Sequence, residues 1–215
     1  MGLRQVLVST VTAAVAVLLP LALASPGTAA AASSTEPLGA DCSTSQLAPH
    51  TGFQVAPACV STAFGEVTTQ EKDASLLIVD APKRVAIGQS ITLKVSTRNL
   101  VRDRFLAAGA GGYYKESAFL TADGLTRGHF HTACRMLDGS GSAPPPDRQA
   151  VFKATEDGGG GATPDTVTVT VAGLPRKGTA QCAVWAGDGS HRVPMMQFAN
   201  QIPALDAVRI KVSDD

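Results

Sequence analysis

Between residues 165 and 172 valine and threonine alternate, with Val167, Val169 and Val171 falling on one face of an extended chain and Thr166, Thr168 and Thr170 on the other. A period of two cannot be kept on a helix, and β-branched side chains suit a pleated surface. The device recurs over 90–97, where Ile91, Leu93 and Val95 oppose Thr92, Lys94 and Ser96, and again near the C-terminus, where Val208, Ile210 and Val212 oppose Arg209 and Lys211. These segments predict half-buried antiparallel strands. The continuous apolar run over 76–79 predicts a more central strand, and 113–121, 127–136, 149–155 and 179–186 complete a set of about eight. Between them lie breaker-rich stretches: 108–112, 138–147 with Pro144, Pro145 and Pro146, and 157–164 with four successive glycines from Gly158 to Gly161. No helical period is sustained. Residues 99–108 predict one short helix and 204–207 a turn. The expected fold is an all-β antiparallel sandwich, immunoglobulin-like in general architecture.

Ahead of this pattern, Arg4 precedes an apolar run from Val6 to Leu23, the charged and apolar regions of a secretory signal. Pro20 interrupts the run, and Ser25, Pro26 and Gly27 follow it, so it is too short for a membrane span of about twenty residues. Cleavage fits after Ala24 or after Ala32, and the second is favoured. The expected organisation is a signal peptide over 1–32, a partly disordered N-terminal arm over 33–59 and a β-sandwich domain over 60–215. A lipid anchor needs a cysteine at the new N-terminus, whereas Cys42 follows Asp41 well beyond the apolar run. No stable membrane anchor is expected, and the product is expected to be secreted and extracellular. The 18 basic and 18 acidic residues balance, which excludes an electrostatic case for nucleic acid or an anionic membrane.

Cysteine is sparse and even in number: Cys42, Cys59, Cys134 and Cys182, with no Cys-x-x-Cys pair. Outside a cell this predicts two disulfides. Of the three possible pairings, Cys42 with Cys59 and Cys134 with Cys182 keeps each bridge within its own part of the chain. Loop closure then contributes about 3 and about 4 kcal/mol.

Antibody-type domains place a tryptophan between their two core cysteines, whereas Trp185 follows Cys182 by three residues. With its strand pattern and alanine-rich leader, the chain resembles small exported bacterial β-sandwich proteins, a resemblance that implies the fold and names no activity.

The segment Gly128-His129-Phe130-His131-Thr132-Ala133-Cys134 is the most specific local feature. On a strand His129 and His131 share one face roughly 6–7 Å apart, and Phe130 and Cys134 take the other. With Cys134 in the core, both imidazoles are expected to look outward. Paired imidazoles suit copper or zinc, with a third ligand from His191, His50, Met195, Met196 or an acid. The competing reading is a pair of hydrogen-bonded histidines on a polar strand face. Copper polysaccharide oxygenases need histidine as the first mature residue, and neither cleavage site leaves one, so that family is rejected.

Ser190 beside His191 invites a hydrolase reading, but neighbouring residues rarely aim at one another as nucleophile and base must, and no Gly-x-Ser-x-Gly elbow is present. An Asp-Gly turn in which both side chains satisfy backbone groups is the simpler expectation. Trp185, Tyr113, Tyr114 and Phe198 are candidates for an aromatic ligand platform. Glu156, Asp157 and Asp165 flank the glycine run without the spacing of a calcium loop, and a flexible connection is expected there. The sequence thus points to a secreted binding or structural module for an extracellular ligand, protein or glycan, with candidate binding residues His129, His131, Trp185 and His191. The alternative is a copper- or zinc-binding protein, and a hydrolase is a distant third. No catalytic residue and no cofactor beyond a possible copper or zinc ion is expected.

Overall fold

In the computed structural model the described residues are 42–139, 141–146 and 151–214; the signal peptide expected over 1–32 and residues 33–41 lie outside them. Ten strands and no α-helix occur among the described residues: β1 (Ser75–Asp80), β2 (Arg84–Ala86), β3 (Ile91–Arg98), β4 (Leu100–Val101), β5 (Thr126–Leu137), β6 (Val151–Thr155), β7 (Gly160–Gly161), β8 (Asp165–Val171), β9 (Gly178–Asp188) and β10 (Leu205–Ser213). They form a three-stranded sheet, β1-β3-β8, and a seven-stranded sheet, β2-β10-β9-β5-β4-β7 with β6 also on β5. The larger sheet curls toward half a barrel, and the two sheets make a sandwich-like arrangement.

The alternating segments behave as their sequences dictate. Ile91, Leu93 and Val95 are fully buried, Val169 and Val171 lie opposite their strand, and Ile210 and Val212 come from the other sheet. These side chains meet Phe130, Cys134, Cys182 and Val184 in one core. Cys134 faces Cys182 across the β5–β9 ladder and is bonded to it, so this bridge lies within one sheet rather than between two. Cys42 bonds Cys59, and both pairings are as expected.

Five expectations are corrected, the first being the turn expected over 204–207, most of which is the start of β10. The apolar run over 76–79 belongs to an edge strand, where Leu76 and Ile78 point inward while Leu77 and Val79 are exposed. The helix expected over 99–108 is absent: Leu100–Val101 pairs with β5 and β7, and only a 3-10 turn, Ala108–Ala110, follows. Residues 113–121 make isolated bridges instead of a strand, because their hydrogen bonds go to several separate segments. The glycine run is not a slack connection, since Gly160–Gly161 is itself a strand beside β4. Next to it, the buried Arg102 guanidinium is held by Asp157 (2.8 Å) and Asp165 (2.6 Å), so these carboxylates clasp a cation of the chain itself.

Candidate metal centre

Strand β5 places two histidines on the face away from the core. Both rings are nonetheless buried, His129 at 0% and His131 at 4% exposure, so the expectation of outward-looking imidazoles is corrected. The reason is tertiary. The long connection after β4 crosses this face, with Arg104 N–H donating to the Gly128 carbonyl (3.1 Å) and Leu106 N–H to that of Gly189 (2.8 Å).

A turn at the end of β9 delivers the third histidine. Asp188 Oδ1 accepts the N–H groups of Ser190 (2.9 Å) and Arg192 (3.0 Å), and Oδ2 accepts Arg192 Nε–H (2.8 Å). The His191 N–H donates to the Asp188 carbonyl (3.0 Å). This clamp holds His191 at φ 73°, a left-handed conformation that costs a residue with a side chain about 1–3 kcal/mol.

His129 Nε2 lies 2.8 Å from His131 Nε2, which lies 3.3 Å from His191 Nδ1. The three donor atoms fall within 4.8 Å of one another. Backbone carbonyls decide which nitrogens carry hydrogen. His129 Nδ1–H donates to Arg104 O (3.0 Å) and His191 Nε2–H to Leu106 O (2.6 Å), because a carbonyl can only accept. In the neutral form of each ring the opposite nitrogen is a free lone pair aimed at His131. His131 Nε2 holds at most one hydrogen for these two acceptors, and His131 Nδ1 is buried without a hydrogen-bond partner.

Burial, above all, holds His129 down to about 4, although the Arg104 carbonyl pulls partly the other way, and His131 down to about 3, helped by the two neighbouring rings. Both are therefore neutral at neutral pH, the form that binds metals. Among the described residues no carboxylate joins the trio. Glu116 pairs with Arg104 and Asp188 with Arg192.

The trio opens through His131 and His191 into a cavity of about 420 Å³ walled by Phe105, Tyr113, Phe152 and Trp185, with Gln54 at its edge. Register explains two of these walls. Trp185 pairs directly with His131 across the β5–β9 ladder, and Phe152 lies diagonally across the β5–β6 ladder. Their rings stand 5.0 and 5.2 Å from the His131 ring. Phe105 packs edge-on against His129 and His191, at 4.9 and 5.1 Å. The N-terminal arm supplies the remaining side: Gly52 accepts from Tyr113 N–H (2.9 Å) at φ +94°, where a Cβ would strike the Gly111 carbonyl.

Of the other candidates, Tyr114 stacks on Tyr113 at 3.8 Å and lines a neighbouring cavity with His50, and Phe198 belongs to a separate polar cavity with Asp73 and Gln201. His50 thus stays outside the trio, and Met195 and Met196 do not line the site's cavity. Ser190 Oγ is buried and accepts the N–H groups of Lys115 (3.0 Å) and Glu116 (2.7 Å), while both His191 nitrogens point elsewhere. As expected, the two side chains satisfy backbone groups, although these belong to residues 106, 115 and 116 while Asp188 builds the turn, and they have no nucleophile-base geometry.

Sequence reasoning missed Asp188 as the clamp, the carbonyls of Arg104 and Leu106, Phe105, Phe152, and Gly187, whose added Cβ would lie 3.1 Å from His129 Nε2. Gly187-Asp188-Gly189 carries the signal of a turn, but nothing local ties residues 104–106 to it.

No protein-family model matches the chain, and no curated protein matches it in sequence. Solved structures similar to it include a β-glucosidase from Listeria innocua, at 12% identity and a TM-score of 0.34 over 65% of this chain. The chain spans 16% of that enzyme's length. The CARDB domain of a Pyrococcus furiosus protein in complex with di-metal ions is 11% identical with a TM-score of 0.34, over 74% of this chain and 100% of that one. A conjugative transposon lipoprotein from Bacteroides eggerthii is 11% identical with a TM-score of 0.28, over 64% and 95%.

Proposed function

We propose that this chain is an exported module that holds one copper or zinc ion on His129, His131 and His191. The observation that carries the reading is the convergence of three imidazole nitrogens, two of them stripped of hydrogen by carbonyls that accept from the far side of the ring. That outer arrangement orients imidazole ligands and raises their basicity in metal sites generally. Two nitrogens on one such ion, bonded at about 2.0–2.1 Å with an angle of about 90–110°, stand about 2.8–3.4 Å apart. The separations of 2.8 and 3.3 Å match that spacing, and all three donor atoms lie within 4.8 Å of one another. Three protein ligands leave a position open toward the cavity, the pattern of zinc sites that exchange ligands.

Export is supported by the leader pattern and by the two disulfides, which persist in oxidising compartments. No helix among the described residues is long and apolar enough to cross a membrane.

The test is metal analysis and titration calorimetry on the secreted, chelator-stripped protein. One zinc or copper ion per chain is expected, with His131→Ala weakening binding at least about a hundredfold, in line with the loss of a direct ligand, itself a larger effect than that of an outer-sphere partner. Stripped wild-type protein that takes up neither metal on titration, or a His131→Ala variant that binds as wild type, overturns the proposal.

A further inference from the structure

The cavity beside the trio is built for a particular class of ligand. Resting on the metal-centre reading above, we infer that the open coordination position takes a small planar aromatic molecule through an anionic oxygen, such as an aryl carboxylate. Two features of the site select the class. First, charge: a divalent ion on three neutral imidazoles keeps both its positive charges, and among the described residues no charged side chain lines the cavity to offset them. In a partly enclosed site of low dielectric, an anionic head on the ion is favoured strongly over a neutral one, and a second cation is rejected.

Second, the walls. Trp185 and Phe152 stand on either side of His131, Phe105 closes the site over His129 and His191, and Tyr113 lies 5.8 Å from the His191 ring. These faces offer broad apolar contact, and among the described residues Gln54 is the one amide lining them. A slot of this kind holds a flat apolar body better than a branched polar one. The volume, about 420 Å³, lies in the range of small-molecule sites. The rim position of Phe152, 51% exposed on a strand facing solvent, leaves its ring free to contact an incoming molecule.

The experiment uses the intact secreted protein loaded with cobalt(II), whose visible spectrum reports a change at the open position, titrated with benzoate and with acetate. The two share the carboxylate head and differ in the ring. Benzoate is expected to bind about tenfold or more tightly than acetate, a difference of about 1.4 kcal/mol. Phe152→Ala combined with Trp185→Ala, neither ring being part of the core, is expected to cut that preference to below about threefold while cobalt affinity stays within about twofold. Equal affinity for the two anions in the loaded wild type, or an undiminished preference in the double variant, overturns the inference and leaves the metal centre standing. A wild-type chain that takes up no cobalt, zinc or copper overturns both.

Discussion

At the residue scale, the site depends on small polar and steric details around three rings. Asp188 touches none of the donor atoms, yet its carboxylate accepts three N–H groups of the turn that carries His191. Asp188→Asn keeps the shape but turns an N–H toward Arg192 Nε–H. It is a positioning change, expected to lower zinc affinity by about 10–100-fold in calorimetry while the circular dichroism spectrum stays that of the wild type. Gly187→Ala places a methyl 3.1 Å from His129 Nε2, and loss of metal affinity in calorimetry is expected, together with about 1–3 kcal/mol of stability in urea unfolding from crowding two buried rings. The buried rings also make the metal-free protein sensitive to acid. Because the folded-state values of His129 and His131 are depressed below the ordinary 6.5 to about 4 and about 3, the unfolded chain binds protons that the folded chain refuses. Stability from these rings is full above about pH 6.5 and falls as pH drops toward 4 and 3, by about 1.4 kcal/mol per pH unit for each ring. Urea midpoints measured at pH 7.5 and pH 5 on the stripped protein check this, and equal midpoints would sink it.

Elements are held in place partly by ions. Arg102 lies just after β4 and reaches Asp157 before β7, Asp165 at the start of β8, and Thr97 on β3 (2.6 Å), so one buried guanidinium joins both sheets through four segments. Arg102→Ala removes these hydrogen bonds and leaves two half-exposed carboxylates that water takes up, so a loss of about 3 kcal/mol is expected in urea unfolding, toward the lower end for a broken buried ion pair. The strands themselves were legible in the sequence wherever one face is buried and the other wet, as at Ile91-Thr92-Leu93 and Val167-Thr168-Val169, because burial of alternate side chains leaves a period-two record. The run over 76–79 misled because both faces of an edge strand can carry apolar side chains, and exposed Leu77 and Val79 look the same in sequence as buried ones. Residues 102–125 left no period to read, since their hydrogen bonds run to separated partners such as Gly128, Gly189 and Ser190.

For the whole molecule, metal occupancy and folding are linked, since the trio exists only when β5, the β9 turn and the covering connection are assembled. Zinc at about a hundred times its dissociation constant is expected to stabilise the protein by about 2.7 kcal/mol; an upward shift in thermal midpoint that excess chelator reverses is the check, and an unchanged midpoint contradicts it. What the sequence by itself determined is whatever is recorded locally: the alternating strands, the two cysteine pairings, and the placing of His129 and His131 on one face opposite Cys134. Only the tertiary structure decided that this face is covered, that His191 rather than His50 or a methionine joins the pair, and that Trp185 and Phe152 flank the result. The reason is physical: a strand's periodicity sets which way a side chain points, whereas burial and convergence depend on segments 60 residues apart meeting through backbone hydrogen bonds that any side chain permits.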